Sequence, residues 1–148
     1  MEGHQTAQSL ANQIAEEYTL NEDQRRAFMI VTDHASTESC GNPPIRMFLG
    51  GPGGTGKSQV ILAIRDFFVC SGQENRLRLT SYMGVAALNI GGNTLHSALL
   101  LGRGGTRSSQ KRDNSDLMRL WDGVDYLLVD EISTVGAQFL ENVNDALC

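Results

Sequence analysis

Residues 51–58 read Gly-Pro-Gly-Gly-Thr-Gly-Lys-Ser, with Gly50 before them. Glycine loses more backbone freedom on folding than any other residue, so so dense a cluster belongs to neither a helix nor a strand interior. Its flanks are regular. The apolar run Ile45 to Leu49 reads as a short strand entering the loop. Beyond the loop, Val60, Ile61, Ile64, Phe67 and Phe68 recur at helical spacing, and Ser71-Gly72 stops the helix. The spacing Gly51-x-x-x-x-Gly56-Lys57-Ser58 between strand and helix is that of a phosphate-binding loop.

The residue types follow from the chemistry. A loop from Gly51 through Pro52, Gly53, Gly54 and Thr55 to Gly56 folds tightly enough for successive backbone N–H groups to face phosphate oxygens. The helix behind it adds its positive N-terminal end. Lys57 is placed to reach β- and γ-phosphates, and the Ser58 hydroxyl to ligate Mg²⁺. The implied ligand is ATP with Mg²⁺. A glycine-rich turn with a chance lysine is the bland alternative, and the strand and helix on either side weigh against it. Asp130-Glu131 follows the apolar run Tyr126 to Val129. Ligands of open parallel sheets bind at the C-terminal ends of the strands, so Asp130 is a candidate to hold Mg²⁺ through water and Glu131 to polarise an attacking water as general base. The alternative is an acidic helix start favoured by the dipole.

Strands that alternate with helices imply an α/β fold with a largely parallel sheet. The expected strands are 45–49, 77–81 and 126–129, with helices behind Asn21, from the glycine-rich loop to Ser71-Gly72, at 85–88, from Thr94, at 116–121 and over 137–147. Asn21 with Gln24 three residues on forms a capping-box register. Residues 1–19 are polar and acidic and read as a flexible lead-in to one domain over 20–148. Residues 102–115, which carry Arg103, Arg107, Lys111 and Arg112, read as a flexible insertion and a solvated loop.

Composition narrows the setting. A formal charge of -5 argues against a protein that coats nucleic acid by bulk positive charge, although it leaves room for a local strand-binding groove. Cys40, Cys70 and Cys148 have neither paired nor metal-ligand spacing, which suits a reducing compartment. No apolar run is long enough to span a membrane, and Met1-Glu-Gly-His-Gln lacks the character of a signal peptide. The expectation is an intracellular protein of cytosol or nucleus, with a mitochondrial pool left open.

Four segments in order, covering about residues 18–148, resemble the Pif family of ATP-dependent 5′-to-3′ DNA helicases, of helicase superfamily one, in its Pif-like and Helitron-like branches. They are residues 20–24 (Leu-Asn-Glu-Asp-Gln), the loop 50–58, residues 84–97 (Gly-Val-Ala-Ala-Leu-Asn-Ile-Gly-Gly-Asn-Thr-Leu-His-Ser) and residues 128–133 (Leu-Val-Asp-Glu-Ile-Ser). The third is the discriminating one. The resemblance implies a P-loop NTPase fold with a RecA-like parallel sheet flanked by helices. It implies coupling of ATP hydrolysis to DNA unwinding in repair, recombination or telomere and genome maintenance, on single-stranded DNA or DNA with a single-stranded tail. A nuclear location, with mitochondria as a second, goes with it. Gln24 matches the glutamine that reads adenine, in competition with the capping box. Gly84, Thr94, His96 and Ser97 match a segment that lies along single-stranded DNA; the alternative is a helix cap at Thr94 with a packed His96. Where the family has Thr-Gly, this chain has Tyr82-Met83 before Gly84, so Ser81 or Thr80 would have to supply the hydroxyl.

The strand and glutamine motif that follow Asp-Glu in the family, and the arginines of a second RecA-like domain, would fall beyond Cys148. The resemblance places the missing strand between the P-loop strand and the Asp130 strand. The expectation is therefore a truncated first motor domain, the N-terminal part of a helicase, with weak or no ATPase and no unwinding by itself. Two other readings compete. One is a stand-alone P-loop ATPase or kinase that does not act on DNA; the other is a non-catalytic single-strand-binding remnant of a transposon. Oligomeric state is not legible.

Overall fold

A computed structural model of the chain describes residues 2–37, 43–100 and 114–147. They fall into two units, divided between Glu74 and Asn75.

The first unit holds three helices, α1 (Glu2–Glu17), α2 (Glu22–Ser36) and α3 (Lys57–Cys70). The lead-in expected to be loosely ordered is thus helical over 2–17. Its apolar stripe is narrow and made of small residues, Ala11, Ile14 and Ala15, all buried, and the surrounding acidic and amide residues hide it in the sequence. α2 starts on the capping box: the Asn21 side chain accepts from the Gln24 N–H, and the Gln24 side chain accepts from the Asn21 N–H. Two N–H groups that the helix cannot pair are satisfied this way. The core is built from Phe28 and Val31 of α2 and from Val60, Ile61, Ile64, Phe67 and Phe68 of α3, all buried. The Phe67 ring meets those of Phe28 and Phe68 edge-to-face, at 6.4 and 5.9 Å.

The strand expected at Ile45 to Leu49 is not formed. Residues 43–50 have no regular structure, and Phe48 is 76% exposed with Met47 also exposed. A strand needs a neighbour for its N–H and C=O groups, and among the described residues none pairs with this run.

The second unit carries a parallel sheet of three strands, β1 (Leu77–Ser81), β2 (Asn93–Thr94) and β3 (Tyr126–Asp130), in the order β2–β1–β3. Leu77 lies opposite Tyr126 and Ser81 opposite Asp130. Between the strands run α4 (Gly84–Asn89), α5 (Leu95–Ala98) and α6 (Asn114–Trp121); α7 (Ala137–Leu147) follows β3. β2 is an addition to the expected strands, and two residues are too few to leave a periodic signal. It enters through the turn at Gly91-Gly92, where a side chain on Gly92 would put its Cβ 2.4 Å from the Leu79 carbonyl oxygen. Only glycine lets the backbone come this close to β1. Leu95, Leu99, Phe139 and Val143 form a core with Tyr82, Trp121 and Val129 packed against it. Most of the basic insertion expected at 102–115 lies outside the described residues; Asn114 and Ser115 open α6.

Candidate nucleotide-binding site

The glycine-rich loop leads straight into α3, whose first two residues are Lys57 and Ser58. Gly51, Pro52, Gly53, Gly54, Thr55 and Ser58 are open to solvent, and Gly56 and Lys57 are half-buried. Gly56 is the N-cap, in the left-handed region at φ 79°, ψ 24°, a conformation that costs a residue with a Cβ roughly 1–2 kcal/mol. The first turn of α3 holds no acidic residue, so no carboxylate there opposes an anion at the helix N-terminus.

Side chains brace the loop from within. Thr55 Oγ1 donates to the Pro52 carbonyl at 2.9 Å. Lys57 Nζ folds back on the loop and donates to the carbonyls of Gly51 at 2.7 Å and Pro52 at 2.9 Å. Both acceptors are neutral, so phosphate oxygens, charged and more strongly accepting, are the better partners for this ammonium. The loop is also tied to the α1–α2 junction. Gln24 Nε2 donates to the carbonyls of Thr55 and Gly56, each at 3.2 Å, and Gln59 Nε2 donates to the Tyr18 carbonyl at 2.9 Å. The Tyr18 hydroxyl in turn donates to Asp66 of α3 at 2.5 Å. Burial and the Asp66 carboxylate together hold that hydroxyl above the ordinary tyrosine pKa. The Gln24 side chain thus serves the cap and the loop at once. The tie from Gln59 has no sequence signal, because a glutamine in a first helical turn is unremarkable.

Asp130 and Glu131 belong to the second unit. Asp130 ends β3 and is 7% exposed. Its Oδ1 accepts the Glu131 N–H at 2.9 Å, and its carbonyl accepts from Ser81 Oγ at 3.2 Å. Glu131 is exposed and sits at φ 57°, ψ 38°. A non-glycine residue held there is strained by a kcal/mol or more, a cost that clusters at functional sites. Sequence pattern alone gave no sign of it.

In the segment 84–97, Gly84 and Ser97 are exposed. Thr94 Oγ1 accepts the Ser97 N–H at 3.2 Å and caps α5. The His96 ring packs beside Phe139 and Tyr82, with centroids 4.5 and 5.5 Å away. Cap and packed imidazole, the alternative raised for these two residues, is therefore the arrangement found. Thr80 and Ser81 are the hydroxyls expected to serve in place of the one missing before Gly84. Both are fully buried, and their side chains donate across the sheet to the carbonyls of Leu128 and Asp130.

Among the described residues no group of three or more His, Cys, Asp or Glu side chains could hold a metal ion. Ser58 in the first unit and Asp130 in the second each carry a hard oxygen donor, the ligand type Mg²⁺ takes. No helix among the described residues is long and apolar enough to cross a membrane.

A phosphate-type loop opening a helix, together with a parallel sheet ending in Asp-Glu, defines an α/β chain of the P-loop class with a RecA-like sheet. The profile of the PIF1-like helicases matches residues 19–148, and the chain belongs to that family. It is 32% identical over 124 residues to the ATP-dependent DNA helicase PIF3 of Trypanosoma brucei brucei, an alignment covering 83% of this chain and 15% of the relative. It is 35% identical over 106 residues to the ATP-dependent DNA helicase PIF1 of Saccharomyces cerevisiae, covering 66% and 12%. With the PIF1 helicase of Danio rerio the identity is 35% over 100 residues, covering 66% and 15%. The chain thus spans between 12% and 15% of the length of these relatives. No solved structure matches it.

Proposed function

We propose that this chain is the nucleotide-binding part of an ATP-dependent DNA helicase, which holds Mg²⁺–ATP on the loop 51–58 and couples its hydrolysis to movement on single-stranded DNA. The observation that carries the reading is the loop itself: an exposed glycine-rich turn at an α3 N-terminus free of acid, with Lys57 resting on neutral carbonyls, in a PIF1-like chain. In the first unit, Lys57 binds β- and γ-phosphates, and the Ser58 hydroxyl is a ligand to Mg²⁺. In the second, Asp130 is an oxygen donor to Mg²⁺ through water, and Glu131 polarises the attacking water. The left-handed backbone at Glu131 supports an assigned task for that residue. Bound Mg²⁺ supplies charge neutralisation for the phosphates.

The DNA strand runs along the segment 84–97, where Gly84 permits close backbone approach and Ser97 offers a hydroxyl. Exposed Met83, Val85 and Leu88 add apolar contact for bases. Work in repair, recombination or telomere and genome maintenance, in nucleus or mitochondrion, is part of the same proposal.

The test is fluorescence anisotropy with a labelled single-stranded oligonucleotide and the corresponding duplex. The expected result is preferential single-strand binding that weakens as salt rises, because phosphate contacts release counterions. Equal or absent binding of both, alongside phosphoryl transfer to a small acceptor, would favour a P-loop kinase instead.

A further inference from the structure

We infer that Gln24 is a positioning residue for the phosphate loop, acting on its peptide groups rather than on a base alone. The inference rests on the reading of residues 51–58 as a nucleotide site.

In a trans peptide the C=O and the N–H of the next residue point in opposite directions. The Thr55 carbonyl shares its peptide with the Gly56 N–H, and the Gly56 carbonyl shares its peptide with the Lys57 N–H. Gln24 Nε2 pulls both carbonyls to one side, at 3.2 Å each. It thereby turns the N–H groups of Gly56 and Lys57 to the other. Two consecutive amides facing one way form a concavity that accepts an anion. A side-chain amide nitrogen carries two hydrogens, and both are engaged here.

The anchor of Gln24 is itself fixed. Its Oε1 accepts the Asn21 N–H at 2.9 Å, while its own N–H donates to Asn21 Oδ1 at 2.9 Å. The backbone N–H of Asn21, by holding Oε1, therefore sets where Nε2 lies, and the start of α2 holds the loop in register. Gly56 completes the fit, since a Cβ there would lie 2.3 Å from Nε2. The Gly56 carbonyl also accepts the Gln59 N–H at 3.1 Å, so the same oxygen joins Gln24 to the first turn of α3.

The test separates loop from base by using a ligand with no base. Mg²⁺–ATP and Mg²⁺–tripolyphosphate are each titrated against a fluorescent ADP analogue on the 148-residue chain, as wild type, Gln24→Met and Asn21→Ala. Methionine keeps the length of the side chain and removes both donors. Asn21→Ala weakens the cap and leaves the Nε2 bonds in place, with loss of helix stability read by circular dichroism. Two hydrogen bonds at ordinary net strength correspond to about a thirtyfold loss of affinity. Gln24→Met is expected to weaken both ligands by that same factor, with Asn21→Ala within about twofold of wild type. Loss for ATP with tripolyphosphate unchanged would make Gln24 a base reader only and overturn the inference. So would an unchanged Gln24→Met, an Asn21→Ala that loses tripolyphosphate equally, or a wild type that binds ATP but not tripolyphosphate. A folded wild type that binds neither ligand nor the ADP analogue defeats the nucleotide-site reading itself, and the inference with it.

Discussion

Lys57→Ala lowers the affinity for Mg²⁺–ATP by about ten- to a hundredfold and leaves the fold intact. A hydrogen bond from a charged donor contributes about 1.5–3 kcal/mol net, and each 1.4 kcal/mol is tenfold in binding. The fold survives because Nζ donates to two carbonyls of a solvent-open loop; surface substitutions of this kind shift stability by about 0.5 kcal/mol or less. Calorimetric titration of both proteins reads the first effect, and urea unfolding the second. Equal affinity of the two would remove Lys57 from the site. A large fall in stability would make it a structural residue.

Phe67→Ala has the largest effect expected on stability. Phe67 is 2% exposed and lies edge-to-face with both Phe28 and Phe68. Removing a buried ring costs about 3–5 kcal/mol, through lost transfer energy and the cavity left behind. Domains are stable by only about 5–15 kcal/mol, so much of the folded population is at stake. Val69→Ala, on the same helix but 46% exposed, is the control and shifts stability by about 0.5 kcal/mol or less. Urea midpoints for the two variants check the pair; a Phe67→Ala shift as small as that of Val69→Ala would contradict the packing described for α3.

What the sequence made legible was whatever repeats or obeys local stereochemistry. The stripe from Val60 to Phe68 is buried along its length, and the box at Asn21 and Gln24 forms as its spacing requires. Tyr126 to Val129 is a strand that ends at Asp130. Local signals failed where the outcome depends on distant partners. Residues 45–49 have strand composition but no pairing among the described residues. α1 was hidden because alanines bury little area and carry little hydropathy. Gln24 posed a choice between cap and base in the sequence. Its third engagement, with the carbonyls of Thr55 and Gly56, joins residues more than thirty positions apart and leaves no local trace. The left-handed Glu131 is likewise set by the exit from β3, where its N–H is held by Asp130 Oδ1.

Every site role proposed for this chain depends on residues 51–58 holding a nucleotide. Isothermal titration of the folded 148-residue chain with ATP in the presence of Mg²⁺ tests it most directly. Saturable binding at one site per chain, displaced by ADP, is the expected result. A folded chain that gives no saturable binding, or binding that Lys57→Ala leaves unchanged, would contradict it.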